Sequence, residues 1–273
     1  TLQGKDSLAA QMKVTKENPK FASAPNNLKV VIRDASQPVQ LLNEGYWGMN
    51  FVEGERYILR TIIRTSSDYK GKVTVRLLSS EGKILSSETL DIINGGEWND
   101  VKKTLTAVGH DSKGRLALEF DSPGTVWVDY VSLFPENTFN NRPNGLRRDV
   151  AEMLVGLKPA FFRWPGGCVV EGITLDNRFE WKKTLGDPAA RPGEYSTWGY
   201  RCSYGFGYYE MLQFWEDIGA KAMFVCNVGL GCQFRMGDAC GEHDIDFYID
   251  DCLDAIEYAL GDESTEWGAR RAA

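Results

Sequence analysis

The strongest constraint on this chain is a change of rhythm at Pro135. From Leu28 to Phe134 apolar residues recur at every second position: Val73, Val75 and Leu77; Leu116, Leu118 and Phe120; Val126, Val128 and Tyr130. Side chains alternate across a strand, so each run describes a β-strand with one face turned to a core. Turn-forming residues punctuate the runs at Glu81-Gly82, Asn94-Gly95-Gly96, Lys113-Gly114 and Pro123-Gly124, and no helical pattern intervenes. Short strands at this spacing predict an antiparallel β-sandwich, jelly-roll-like, over residues 28–135. Residues 1–27 are polar and read as an irregular connection into it.

After Pro135 the period becomes helical. Leu146, Val150, Met153, Leu154 and Leu157 lie on one helix face, with Pro143 suited to the first turn and Lys158-Pro159 ending the element. Ala160 to Trp164 reads as a strand running into Pro165-Gly166-Gly167. Tyr208, Met211, Leu212, Trp215 and Ile218 mark a second helix closed by Gly219. Ala222 to Val228 reads as a second strand, and Ile245 to Leu260 as a third helix stopped by Gly261. This alternation calls for parallel strands with crossover helices. Two parallel strands by themselves leave both sheet edges bare. Residues 136–273 are therefore expected to be the N-terminal portion of a (β/α)8 TIM barrel, incomplete, whose remaining strands are a required partner. The fold class is α+β multidomain, a sandwich followed by part of a barrel.

Composition removes several functions. The net charge is −7, and the basic pairs Lys102-Lys103, Arg147-Arg148, Lys182-Lys183 and Arg270-Arg271 are scattered. Nucleic acid needs clustered cations, so it is excluded as a partner. No apolar run approaches the roughly 18 residues of a membrane span. The chain opens at Thr1 with neither a Met nor a signal peptide, as a processed chain or a piece of a longer one does. Six cysteines, all in the second half, form no C-x-x-C, and His110 and His243 lie far apart, which argues against a zinc site. Cys232 and Cys240 are the nearest loop-located pair for a disulfide. Eight Trp among 12% aromatics suit stacking on sugar rings, although core packing is the commoner use of each. Tyr46 and Trp47 are weighed the same way: a sugar platform, with core packing favoured.

In βα units chemistry sits at the C-terminal ends of strands. Two such ends are visible, Arg163-Trp164-Pro165-Gly166-Gly167-Cys168 and Cys226-Asn227-Val228-Gly229. The connection from Val169 to Phe206 far exceeds the usual ~2–6 residues of a βα loop. It holds Glu171, Trp181, Arg191, Glu194, Tyr195, Trp198, Tyr200, Arg201 and Tyr204. A substrate wall and a self-packed loop are equally good readings of it.

Two runs resemble the opening of a known catalytic barrel: FPENTFNNRPNGLRRDVAEMLVGLKPAFFRWPGGCVVEG, and RPGEYSTWGYRCSYGFGYYEMLQFWEDIGAKAMFVCNVG with the following CLDAIEYALGDESTEWGARRAA. They look like glycoside hydrolase family 51, the α-L-arabinofuranosidases, over residues 131–273. LLNEGYWGMNFVEGERYILRTIIRT and GTVWVDYVSLFP resemble the carbohydrate-binding-module-like sandwich of many members. The resemblance implies a retaining hydrolase that uses two Glu and no catalytic cofactor, acting on arabinan or arabinoxylan of the plant cell wall and secreted or periplasmic. The Asn-Glu that carries the family's general acid/base would be expected beyond Ala273, so no catalytic residue is expected in this chain. By resemblance Cys168 faces the bound arabinose and Trp198 is the loop aromatic beside it, with Asn227 within reach of the pocket. Glu171, Glu210 and Glu242 lack an evident carboxylate partner and are not read as catalytic. Asp129, on the last sandwich strand, is the candidate ligand of a structural Ca2+. The rival reading is a non-catalytic carbohydrate-binding protein.

Overall fold

The period-two runs fold as the sequence requires. In the computed structural model, which describes residues 1–273, the chain forms two compact units, Thr1–Ala151 and Glu152–Ala273.

The first unit holds eleven strands: β1 (Leu2–Gln3), β2 (Ala10–Thr15), β3 (Asn27–Ile32), β4 (Val39–Asn43), β5 (Met49–Phe51), β6 (Arg56–Thr65), β7 (Val73–Leu78), β8 (Ile84–Thr89), β9 (Asn99–Thr106), β10 (Asp111–Phe120) and β11 (Gly124–Pro135). They make two antiparallel sheets, β1-β4-β10-β7-β8, with β5 also on β10, and β2-β3-β11-β6-β9. Val73, Val75 and Leu77 of one sheet and Val30, Leu59, Ile63 and Val126 of the other are wholly buried in one shared core. Burying such side chains stabilises by about 1.5–3 kcal/mol each. On its other face β10 buries Glu119, whose carboxylate accepts hydrogen bonds from Arg76 at 2.7 Å and Gln40 at 2.9 Å.

Two sequence expectations change in this unit. Residues 1–27 are not all irregular: β1 pairs with β4, and β2 pairs with β3 along its length. Their side chains are mostly exposed, because an edge strand is held by backbone hydrogen bonds and needs no apolar alternation. Tyr130 also leaves the inward series of Val126 and Val128, because the pairing of β11 with β6 slips by one residue between Val128 and Tyr130. A bulge of this kind moves every later side chain to the other face.

The helix α1 (Arg148–Gly156) runs across the division between the units. It begins five residues after Pro143, which lies in the preceding turns and not in the helix. The second unit continues with β12 (Phe161–Trp164), α2 (Cys168–Glu171), β13 (Glu194–Tyr195), β14 (Arg201–Cys202), α3 (Tyr208–Ile218), β15 (Lys221–Phe224), α4 (Ile245–Leu260) and α5 (Glu266–Ala272). Strands β12 and β15 pair in parallel, Phe161 with Lys221 through Trp164 with Phe224. Gly219 closes α3 in the left-handed conformation, φ 67°, where the missing Cβ removes the steric penalty. Trp164 anchors the unit's aromatic core, edge-on to Phe179 at 5.1 Å and parallel to Tyr208 at 6.5 Å. Trp181 packs on Tyr208, Tyr258 and Trp267, and its indole N–H donates to the Asp251 carbonyl at 3.1 Å. No helix is long and apolar enough to cross a membrane.

Candidate active site

Parallel pairing puts the C-terminal ends of β12 and β15 side by side. After Trp164 the chain turns through Gly166, φ 96°, where a Cβ would strike the Arg163 guanidinium at 2.2 Å. The positive φ favours glycine there, and the turn delivers Cys168 to the start of α2. After β15, Asn227 holds the second end in place. Its amide nitrogen donates to the carbonyls of Val170 and Leu230, both at 3.0 Å. Its oxygen accepts from the N–H of Gly229 at 2.7 Å and of Leu230 at 3.2 Å. Two donors and two acceptor sites are all that a carboxamide has. Asn227, expected within reach of the pocket, ties the β15 loop to α2 through these bonds.

Cys168 meets a residue that sequence spacing does not reveal. The Cys232 thiol donates to Cys168 Sγ at 3.1 Å, and Cys168, Glu171 and Cys232 bring their ligand atoms within 4.8 Å of one another. Cys232, matched with Cys240 in the sequence reading, thus faces Cys168, and all six cysteines are free thiols. The hydrogen bond with Cys168, together with burial, pushes the Cys232 thiol above its ordinary pKa. Cys226, hydrogen-bonded to Cys252, is pushed up to about 12, chiefly by burial.

The long connection between α2 and α3 divides into a buried half and an exposed half. One half is core: Phe179, Trp181, Tyr204 and Arg191 are buried. The Arg191 guanidinium donates to both oxygens of Glu210, at 2.8 and 3.2 Å, and to the carbonyls of Gly186 and Tyr204. Glu210 also accepts from the Gly207 N–H at 2.8 Å, capping α3, so its carboxylate is a structural group. The other half is exposed. Strands β13 and β14 form a hairpin whose tip carries Tyr195, Trp198 and Tyr200, each more than half exposed. Trp198 stands at 57% exposure. Within the hairpin, burial pushes the Glu194 carboxyl up. Glu242 lies on an exposed turn ahead of α4.

In the first unit Asp129 lines a cavity of about 550 Å3 with Leu28, Leu41, Leu118, Val128 and Asn43 among its walls. Its Oδ2 has no hydrogen-bond partner, and burial raises its pKa to about 6. No group of three acidic, histidine or cysteine ligands gathers there. Calcium asks for six to eight oxygens; Asn43 and Glu44 line the same cavity as Asp129, whose walls are otherwise mostly apolar. Tyr46 and Trp47, favoured for the core, are instead 88% and 85% exposed, their rings 4.9 Å apart.

The comparisons with known proteins agree with this architecture. Residues 153–273 match the family model described as the Alpha-L-arabinofuranosidase 1 domain. Alpha-L-arabinofuranosidase 2 of Arabidopsis thaliana is 37% identical over 242 residues, covering 86% of this chain and 34% of that protein. Alpha-L-arabinofuranosidase A of Aspergillus kawachii is 32% identical over 272 residues, 97% of this chain and 43% of its own. The arabinose-bound MgGH51 α-L-arabinofuranosidase superposes with a TM-score of 0.92 at 31% identity, over 99% of this chain and 44% of that one. The chain thus spans between a third and a half of the length of these three relatives. In sequence and in fold it belongs to the glycoside hydrolase family 51 α-L-arabinofuranosidases.

Proposed function

We propose that this chain is the sandwich and the first barrel strands of a retaining exo-acting α-L-arabinofuranosidase. In this reading it supplies part of the arabinose subsite, while the rest of the barrel supplies the acid/base and the nucleophile. The observation that carries the proposal is the agreement with an arabinose-bound family 51 enzyme across 99% of the chain. Cys168 at the β12 end and Trp198 on the hairpin are the sugar-facing groups, and Asn227 is a positioning residue behind them. The sandwich, residues 28–135 with β1 and β2 at its edges, is an accessory module whose exposed Tyr46 and Trp47 offer a platform for arabinan or arabinoxylan. Secretion or a periplasmic location fits such a substrate, and a Streptomyces chartreusis relative, 34% identical, is named extracellular.

Acetal cleavage with retention needs a proton donor and a carboxylate about 5–5.5 Å apart. The β12 and β15 ends present one carboxylate, Glu171, beside two thiols. The 273-residue chain by itself is therefore expected to leave 4-nitrophenyl α-L-arabinofuranoside intact. In the protein that contains the whole barrel, Trp198→Ala is expected to raise KM about tenfold or more. Hydrolysis by the chain alone, abolished by Glu171→Gln, would place the reaction here and overturn the division of labour.

A further inference from the structure

Two thiols and a carboxylate converge where packing alone gives no reason for it. Cys168 and Glu171 are the first and last residues of α2, and a spacing of three puts them on one side of a helical turn. Cys232 arrives from the β15 loop. Its N–H donates to the Gly172 carbonyl, and its own carbonyl accepts from Arg235 and Gly237, so the backbone fixes the thiol's approach. Cys232 is 1% exposed and its Sγ lies 3.1 Å from that of Cys168.

We propose that Cys168, Glu171 and Cys232 form a binding site for a thiophilic divalent cation of the Zn2+ type, with a fourth coordination position left open. The inference stands on this cluster and does not depend on Cys168 contacting a sugar. A tetrahedral Zn2+ with Zn–S bonds of ~2.3 Å holds two sulfurs about 3.8 Å apart. The observed pair need open by less than roughly 1 Å to admit the ion. Three protein ligands and one free position is the pattern of exchangeable zinc sites, as opposed to closed structural ones. Two soft sulfurs disfavour Mg2+ and Ca2+, which take oxygen.

Electrostatics points the same way. Two thiols and a carboxylate gathered this closely disfavour one another's anionic forms when no cation is bound. A dication among them outweighs that repulsion. Binding is written M2+ + 2 RSH → M(SR)2 + 2 H+, with the Glu171 carboxylate as third ligand. Two protons leave per ion, so affinity rises with pH by up to about a hundredfold per unit below the thiol pKa values.

The test is anaerobic titration of the reduced 273-residue chain with Co2+. One equivalent is expected to give a sulfur-to-cobalt charge-transfer band and intense tetrahedral d–d bands, both erased by Zn2+ and unaffected by Mg2+. Cys168→Ser or Cys232→Ser should each weaken binding about a hundredfold or more and cut the charge-transfer band. Glu171→Gln should weaken it about tenfold with the band retained. The double variant Cys226→Ser with Cys252→Ser, at the chain's other thiol pair, should change nothing. Absence of the band in the reduced wild-type chain would overturn the proposal, as would a band that survives in both serine variants at the Cys168 pair. A disulfide between Cys168 and Cys232 that persists under reductant and takes up no metal would also overturn it. Should a serine variant fail to fold, alkylation of the wild-type thiols with and without Zn2+ decides. Protection of Cys168 supports the site, and equal labelling rejects it.

Discussion

The two units handle apolar surface in opposite ways. In the sandwich each sheet covers the inner face of the other, and Leu59, Ile63, Val75, Leu105 and Phe120 retain no exposure. In the second unit the parallel pair β12 and β15 keeps Phe161 at 55% and Met223 at 45% exposure. The apolar stripe of α4 is likewise open at Ile249, Leu253, Ile256 and Leu260. What holds that unit together is the aromatic cluster around Trp164, Trp181 and Tyr208, largely supplied by the long connection and α3. Antiparallel sheets can close a core with near neighbours in one domain, whereas a barrel wall is completed only by the strands on either side.

The largest expected effect tests that contrast directly. Phe120→Ala should cost about 3–5 kcal/mol, because it empties a wholly buried site, while Phe161→Ala should stay within about 0.5 kcal/mol. Calorimetric melts of the two variants measure this, and equal losses would erase the difference between the units. A second variant sharpens the comparison by asking whether the long connection is as firmly held as the sandwich. Arg191→Met removes a guanidinium whose side chain is 3% exposed and leaves the Glu210 carboxylate, 24% exposed, without its cation. A loss of about 2–4 kcal/mol is expected, read as faster proteolytic cutting between Gly186 and Tyr204. Unchanged cutting would mean that the ion pair does not order this segment.

The smallest effect concerns a half-buried carboxylate of the sandwich with an unpartnered oxygen. The folded-state pKa of Asp129, about 6, lies above its ordinary value of 3.8, so the native state holds the proton more tightly than the unfolded chain. Its contribution is complete below pH 3.8 and is lost as pH rises through about 6. Asp129→Asn should remove that slope and raise stability at pH 8 by about 1 kcal/mol, after discounting for partial exposure. Urea melts at pH 4 and pH 8 would show it, and a wild-type slope retained in the variant would assign the titration to another group.

Much of the fold could be read in the sequence because its signals are local. Alternation placed β7, β10 and β11, and helical spacing with a terminal glycine placed α3 and α4. The bulge at Tyr130 was hidden, since a register slip depends on the partner strand. The strands of residues 1–27 were hidden because backbone pairing at an edge leaves little mark on side chains. The candidate site was half legible. Pro165-Gly166-Gly167 marked the end of β12, and a loop crowded with aromatics marked the hairpin that carries Trp198. The convergence of Cys168 with Cys232 could not be read, since 64 residues separate them and only the parallel pairing of β12 with β15 brings them together. Nor could the full engagement of the Asn227 amide, which rests on the carbonyls of Val170 and Leu230.

The position of β11 has a consequence for how the protein is made. This strand lies between β3 and β6 in the five-stranded sheet, yet it is the last strand of its unit to leave the ribosome. From the end of β3 at Ile32 to the end of β11 at Pro135 the ribosome adds about a hundred residues, or roughly 5–20 s at 5–20 residues per second. Until then the backbone edge of β3, and that of β6 once it is made, lack the strand that lies between them. Unpaired strand edges are open to aggregation, so a translational pause shortly before Gly124 would lengthen that exposure.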